Sequence, residues 1–276
     1  MPVNVQMHRN LTFPGLLRRR VDVWMPQGFE GPRPVLYMHD GQNLFRSTPL
    51  IGKGWQVAEA ITALAGQGLI DPPIVVGITS TANRLGDYLP QKPMSSAEAL
   101  QFVNEHWKFS GFKAGQMKAD DYLVYLTKVV KPFIDANYDT LSDADHTALM
   151  GSSMGGLISA YGLCEYPQIF GMAGCLSTHW PITGEFMLEY FDKHLPKPGA
   201  HRFYFDHGDK GMDAAYQPWQ TRVDELLVGH GYEQDKDFQS WTFPGDDHHE
   251  EYWANRLHIP LSFFFGVNNW PVMQPV

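Results

Sequence analysis

Apolar residues along this chain fall into short runs that alternate with longer stretches of helical spacing. "RPVLYMHDG" (33–41) and "PPIVVGITST" (72–81) are near-continuous apolar runs closing on Gly, Asp, Ser or Thr, the pattern of strands buried on both faces of a sheet. "HTALMGSS" (146–153), "GMAGCLSTHW" (171–180), "HRFYFDHGD" (201–209) and "FQSWTFPGDD" (238–247) repeat the format. "RRRVDVWMP" (18–26) alternates apolar with polar residues, as a half-buried strand does. Between the runs lie helix candidates: "WQVAEAITALAGQG" (55–68), "DDYLVYLTKVVKPFIDANY" (120–138), "GGLISAYGLCEYP" (155–167), "YQPWQTRVDELLVGHGY" (216–232) and "EYWANRLHIPLSFFFG" (251–266). In the second, Tyr122, Tyr125, Val129 and Phe133 recur at three- and four-residue steps and make one apolar stripe. Alternation of strand and helix predicts an α/β fold around a mostly parallel central sheet.

One segment breaks the rhythm. Residues 91–120 are too long for a simple connection, and Leu100, Val103 and Trp107 form a short helical stripe within them. This is a small insertion over the sheet edge. Ligands in such sheets bind outside the carboxyl ends of the strands, so it is placed either to wall a pocket or simply to cover surface. No Pro-, Gly- or Ser-rich linker divides the chain, and residues 1–276 read as a single domain.

Composition narrows the function. With 43% hydrophobic residues, 18% charged residues and a net charge of −9, the chain can bury a large core and offers an acidic surface. That argues against nucleic acid or an anionic membrane as partner. The two cysteines, Cys164 and Cys175, lie in apolar surroundings and read as buried free thiols. The N-terminus lacks a basic-then-apolar leader and no apolar run is long enough to span a bilayer, so a cytoplasmic setting is expected.

The chemistry concentrates at Gly151-Ser152-Ser153-Met154-Gly155, which fits G-x-S-x-G in one register only. A strand before it, a helix after it and a further Gly156 match a nucleophile elbow, where a sharp turn exposes the central serine. The alternative is a tight structural turn. A serine hydroxyl needs a base, and in this arrangement the acid and then the histidine follow the nucleophile in sequence. "TFPGDDHHEEYWANRL" (242–257) offers His248 and His249 between the last strand and the final helix; His207, His230 and His258 sit less well. "DDHHEE" is contiguous rather than spaced as in H-E-x-x-H, so no metal site is expected. Phe45, Trp107, Trp180, Trp219 and Trp253 lie near these loops; ordinary packing is favoured for each, and Trp180 is the best candidate for a substrate pocket because it follows a strand end.

From about Arg20 to Gly266 the chain resembles a known family: the esterase branch of the α/β-hydrolase fold that contains enterochelin esterases, S-formylglutathione hydrolases, feruloyl and acetyl esterases and the mycolyltransferases. "LYMHDGQNLF", "IVVGITSTANRLGDYLP", "KPFIDANY", "GSSMGGLISAYGLCEYPQIFG", "YFDHGDKGMDAAYQPW" and "PGDDHHEEYWANRL" carry the likeness in combination. The resemblance implies Ser153 as nucleophile. Its G-x-x-H-N-E-x-x-W pattern maps onto Gly245, His248, His249, Glu250 and Trp253, which makes His248 the base and replaces the usual Asn by His249. It implies an oxyanion hole from the backbone N–H groups of Met154 and Gln42. For the acid it favours Asp213 and leaves Asp209 and Asp206 open, because Asp209 stands where many relatives have Thr. The implied function is a serine carboxylic ester hydrolase with a small-molecule ester substrate and no cofactor. An acyltransferase with an alcohol or sugar acceptor is the near alternative, and a non-catalytic binding protein the distant one.

Overall fold

The computed structural model describes residues 3–45, 52, 54–106 and 112–267. Among them eight strands form one sheet: β1 (Val5–His8), β2 (Val21–Trp24), β3 (Val35–His39), β4 (Ile74–Ile78), β5 (Thr147–Ser152), β6 (Met172–Leu176), β7 (Arg202–Gly208) and β8 (Phe238–Phe243). Their spatial order is β1-β2-β4-β3-β5-β6-β7-β8. β3 to β8 run parallel to one another, whereas β2 is antiparallel to both of its neighbours, β1 and β4.

Every residue of β3, β4, β5 and β6 is buried. Alternate side chains enter opposite layers: Val35 and Tyr37 join one hydrophobic cluster, Leu36 and Met38 the other, as the two-residue period of a strand requires. The first cluster is covered by α4 (Ala119–Tyr125), α5 (Lys131–Asn137), α6 (Met154–Glu165), α7 (Glu185–His194) and α8 (Gln217–Gly229). The second is covered by α1 (Val57–Gly66), α9 (Glu250–Arg256) and α10 (His258–Phe265). The expected mostly parallel sheet flanked by helices is therefore present.

Prolines account for two departures from the expected helices. The 120–138 pattern is interrupted by a π-helical turn, Leu126–Val130, just before Pro132. Proline has no N–H for the i−4 carbonyl, and the wider turn absorbs that loss. The 251–266 pattern breaks at Leu257, and the restart places Pro260 in the first turn of α10, where its missing N–H goes unused. β1 and α7 extend the pattern at sites the apolar runs did not mark; α7 buries Met187, Leu188, Tyr190 and Phe191.

Within 91–120 the stripe forms α3 (Ala97–His106), with Ala99 and Val103 fully buried; Trp107 lies outside the described residues. Phe102 presses on the point where Gly184 would carry a side chain, 2.7 Å away, and faces Phe186 at 6.0 Å. The insertion thus leans on the connection that follows β6, at the carboxyl end of the sheet.

Candidate active site

Ser153 joins β5 to α6 with φ 59° and ψ −121°, a conformation that crowds any Cβ and persists only where the surroundings impose it. The surroundings do so here. Its N–H donates to the Leu176 carbonyl at 2.9 Å, and its own carbonyl accepts from the N–H groups of Leu157 and His179 at 3.1 and 3.2 Å. Two glycines are required by close approach. A Cβ on Gly151 would lie 2.8 Å from the backbone of Gly155, and one on Gly156 would lie 2.7 Å from Thr178 Oγ1. Gly155 is different: its Cβ would make ordinary contact with His39 at 3.4 Å. Met154 is the first residue of α6, so its N–H lacks an acceptor within the helix and stands at the positive end of the helix dipole.

β5, β6, β7 and β8 are parallel neighbours, so the segments leaving them meet at one end of the sheet. There His248 Nδ1 lies 2.6 Å from Asp213 Oδ1. Asp213 Oδ2 accepts from the Gly208 N–H at 2.8 Å and from the Ser177 hydroxyl at 2.6 Å. Burial alone would raise the Asp213 pKa; the bonds from His248, Ser177 and Gly208 outweigh it and hold the carboxyl below its usual range. The His248 ring stands edge-on to Trp253 at 5.0 Å and to Tyr216 at 5.8 Å. Tyr216 in turn hydrogen-bonds His179, the residue whose N–H meets the Ser153 carbonyl.

The other candidates take other places. Asp209 accepts the Gly245 N–H at 2.8 Å from a partly exposed position. Asp206 is sealed in an ion pair with Arg256 at 2.8 Å. His249 caps α9, accepting from the Glu251 N–H at 3.2 Å. His230 pairs with Asp192, His207 is buried within β7, and His258 opens α10.

The segment after β3 is held firmly. Asp40 is left-handed, φ 54°. Its carboxylate binds Arg84 through Nε at 2.8 Å and Nη2 at 2.7 Å, and its N–H donates to the Tyr88 hydroxyl at 3.2 Å. A short 3-10 turn, Gly41–Asn43, follows, with Gly41 packed so tightly on Gly77 that a Cβ would lie 2.5 Å from its backbone. The Gln42 side chain is tied twice to Ser80, donating to Oγ at 2.8 Å and accepting its N–H at 3.0 Å. Asn43 donates to Glu250 at 3.0 Å, which links this turn to the start of α9, two residues after His248. Among the described residues no three His, Cys, Asp or Glu side chains are grouped so as to hold a metal ion.

Residues 17–259 match the model of a family described as "Putative esterase". The chain belongs to the putative esterase family. It is a carboxylic ester hydrolase, in an α/β-hydrolase fold. An uncharacterized protein of Bacillus subtilis (strain 168), YbbA, is 25% identical over 260 residues, covering 91% of this chain and 94% of that protein. An IroE-like serine hydrolase from Shewanella oneidensis shares the fold with TM-score 0.71 at 18% identity, over 95% of this chain and 79% of its own. The enterochelin esterase of Shigella flexneri does so with TM-score 0.66 at 18% identity, over 96% of this chain. This chain spans 58% of that enzyme's length.

In this esterase Trp180 is not placed to line a pocket. It is 1% exposed, packs on Phe191 and Phe205, and donates its indole N–H to Gln220 at 3.1 Å. The local 3-10 turn Trp180–Ile182 sends the ring back into the core rather than over the strand ends. Trp253 is buried as well, with Trp55 against it at 5.6 Å. Arg84, Tyr88, Ser177, His179 and Tyr216 were not singled out from the sequence. Arg84 and Tyr88 lie inside the family motif "NRLGDY", which marks their region; Ser177 follows an ordinary strand and has no local signature.

Proposed function

We propose that this esterase hydrolyses small-molecule carboxylic esters through Ser153, His248 and Asp213, by way of an acyl-enzyme. The observation that carries the reading is the Asp213–His248 contact of 2.6 Å at the same end of the sheet as the strained Ser153. With Nδ1 engaged by Asp213, His248 presents Nε2 as general base. It takes the proton of the Ser153 hydroxyl as Oγ attacks the ester carbonyl. The backbone N–H groups of Met154 and Gln42 receive the developing oxyanion, and being fixed by α6 and by the tied turn after β3 they need little reorganisation. His248 then returns the proton to the leaving alkoxide. In the second half it deprotonates water against the acyl-enzyme, and Ser153 is released with the carboxylic acid. Every step uses groups of the chain itself.

Hydrolysis of p-nitrophenyl esters of rising acyl length tests the reading. The wild type turns over at least one of the series, and Ser153→Ala, folded, loses about three orders of magnitude or more in kcat. A fluorophosphonate labels Ser153 stoichiometrically. Equal turnover by both proteins, or labelling elsewhere, overturns it. Product analysis with added alcohols distinguishes release to water from transfer to an acceptor.

A further inference from the structure

We propose that Ser177 is a positioning residue that aims the Asp213 carboxylate at His248. The inference rests on the triad reading above and adds a fourth member to it. Ser177 follows β6 immediately and has no solvent exposure. Its φ is 42°, a left-handed conformation that favours Gly, Asn and Asp. A residue with a hydroxyl stands there instead, and the hydroxyl is fully employed.

Ser177 Oγ has three polar neighbours. Trp253 Nε1 lies at 2.9 Å, Arg256 Nη2 at 3.0 Å and Asp213 Oδ2 at 2.6 Å. A serine hydroxyl has one proton and two acceptor sites. Indole and guanidinium nitrogens only donate, so they fill both acceptor sites. The one proton is then left to Asp213. The direction of this bond follows from the chemistry of the partners.

The consequence is a carboxylate with unequal oxygens. Oδ2 is clamped by Ser177 and by the Gly208 N–H at 2.8 Å, and Oδ1 is left to His248. A carboxylate held at one oxygen by two donors, one just past β6 and one at the end of β7, cannot turn about its last bond without losing both. The clamp is itself anchored: Arg256 is fixed by Asp206 and Asp246, each at 2.8 Å. The Ser177 N–H donates to the Asp206 carbonyl at 2.7 Å. Strand ends β6 and β7 and helix α9 therefore converge on one hydroxyl. Ser177 itself is sealed from substrate, so it acts only through Asp213.

A double-variant cycle tests this. kcat/KM for a p-nitrophenyl ester is measured for Ser177→Ala, Asp213→Asn and the double variant. Ser177→Ala lowers kcat/KM by about 10- to 100-fold when Asp213 is intact. In the Asp213→Asn background it does so by less than about twofold, because the effect has no carboxylate left to act on. The same factor in both backgrounds, or no loss in the first, overturns the inference while leaving the triad intact. No loss from Asp213→Asn alone is a separate result: it removes the triad reading and the inference with it. Ser177→Ala also leaves the Trp253 and Arg256 donors buried without an acceptor. Should that variant not fold, Ser177→Cys carries the cycle, since its thiol keeps a weak donor and a weak acceptor; a loss of about fivefold confined to the background with Asp213 intact is expected.

Discussion

His248 Nδ1 lies 2.6 Å from Asp213 Oδ1, and the Asp213 side chain is completely shielded from solvent while that of His248 keeps 14% exposure. The geometry fixes which imidazole nitrogen faces the carboxylate and leaves the other for the open side. Asp213→Asn lowers kcat by about three to four orders of magnitude, because an amide can hold the ring with the proton on the wrong nitrogen. Asp209→Asn, at an exposed loop position, changes stability by less than about 0.5 kcal/mol and leaves turnover close to wild type. Steady-state rates of the two purified variants decide between them.

Asp206 answers to a different partner. It is fully buried against Arg256, which is 2% exposed. Asp206→Asn leaves a buried guanidinium short of its counter-charge and destabilises the fold by about 3 kcal/mol. Urea unfolding measures it. A midpoint unchanged from wild type would show that Asp246 alone suffices for Arg256.

The two glycines of G-x-S-x-G differ in what they tolerate. Gly151→Ala drives a methyl into the Gly155 backbone at 2.8 Å and costs about 1–3 kcal/mol, with loss of activity as the elbow shifts. Gly155→Ala meets only ordinary contacts, the nearest at 3.4 Å, and stays within about 1 kcal/mol of wild type. Denaturant midpoints of the two variants check the contrast.

Buried histidines make the fold sensitive to acid. Burial pulls the His39 imidazole down to about 3, with Asp40 opposing and Arg84 assisting; burial and the neighbouring His248 do the same to His179. An unfolded histidine titrates near 6.5, so between about pH 6.5 and 3 the unfolded chain binds more protons than the folded one. The stability is complete above that window and lost progressively as pH falls through it. His39→Gln removes up to about 1.4 kcal/mol per pH unit from this slope. Urea midpoints at pH 7.5 and 4.5 measure the effect, and equal slopes in both proteins contradict it.

Arg84 grips Asp40 with two parallel hydrogen bonds, a geometry that an ammonium cannot reproduce. Arg84→Lys loosens the turn that carries Gln42 and lowers kcat about tenfold. Stopped assays on the ester series read this directly, and wild-type kcat in Arg84→Lys argues against a role for the fork.

The strands of the central sheet could be read from the chain because burial on both faces leaves an uninterrupted apolar run, as in "PPIVVGITST". β1 left no such run: its residues are exposed or half-exposed at the sheet edge, so selection for apolarity is weak there. The elbow was equally legible, since the close approach of Gly151 and the strained φ of Ser153 involve residues within a few positions of each other. Among the carboxylates only the family resemblance favoured Asp213; the residues by themselves did not. Asp206, Asp209 and Asp213 lie within eight residues of one another in one strand-loop segment, and composition cannot tell which of them the loop after β8 will meet. Trp180 shows the converse: its position after a strand end suggested a pocket, and a 3-10 turn with Gln220 as partner put it in the core.

By itself the sequence determined the class of fold, the tight turn at Ser153 and the loop that carries His248 and His249, because periodicity, turn chemistry and motif spacing act over short stretches of backbone. Only the tertiary structure decided the partners. Ser177 meets Trp253 and Arg256 across 76 and 79 residues of chain, and Asp213 meets His248 across 35. Hydrogen bonds of this kind are short-ranged and directional, so they are selected by which strand ends the folded sheet sets side by side.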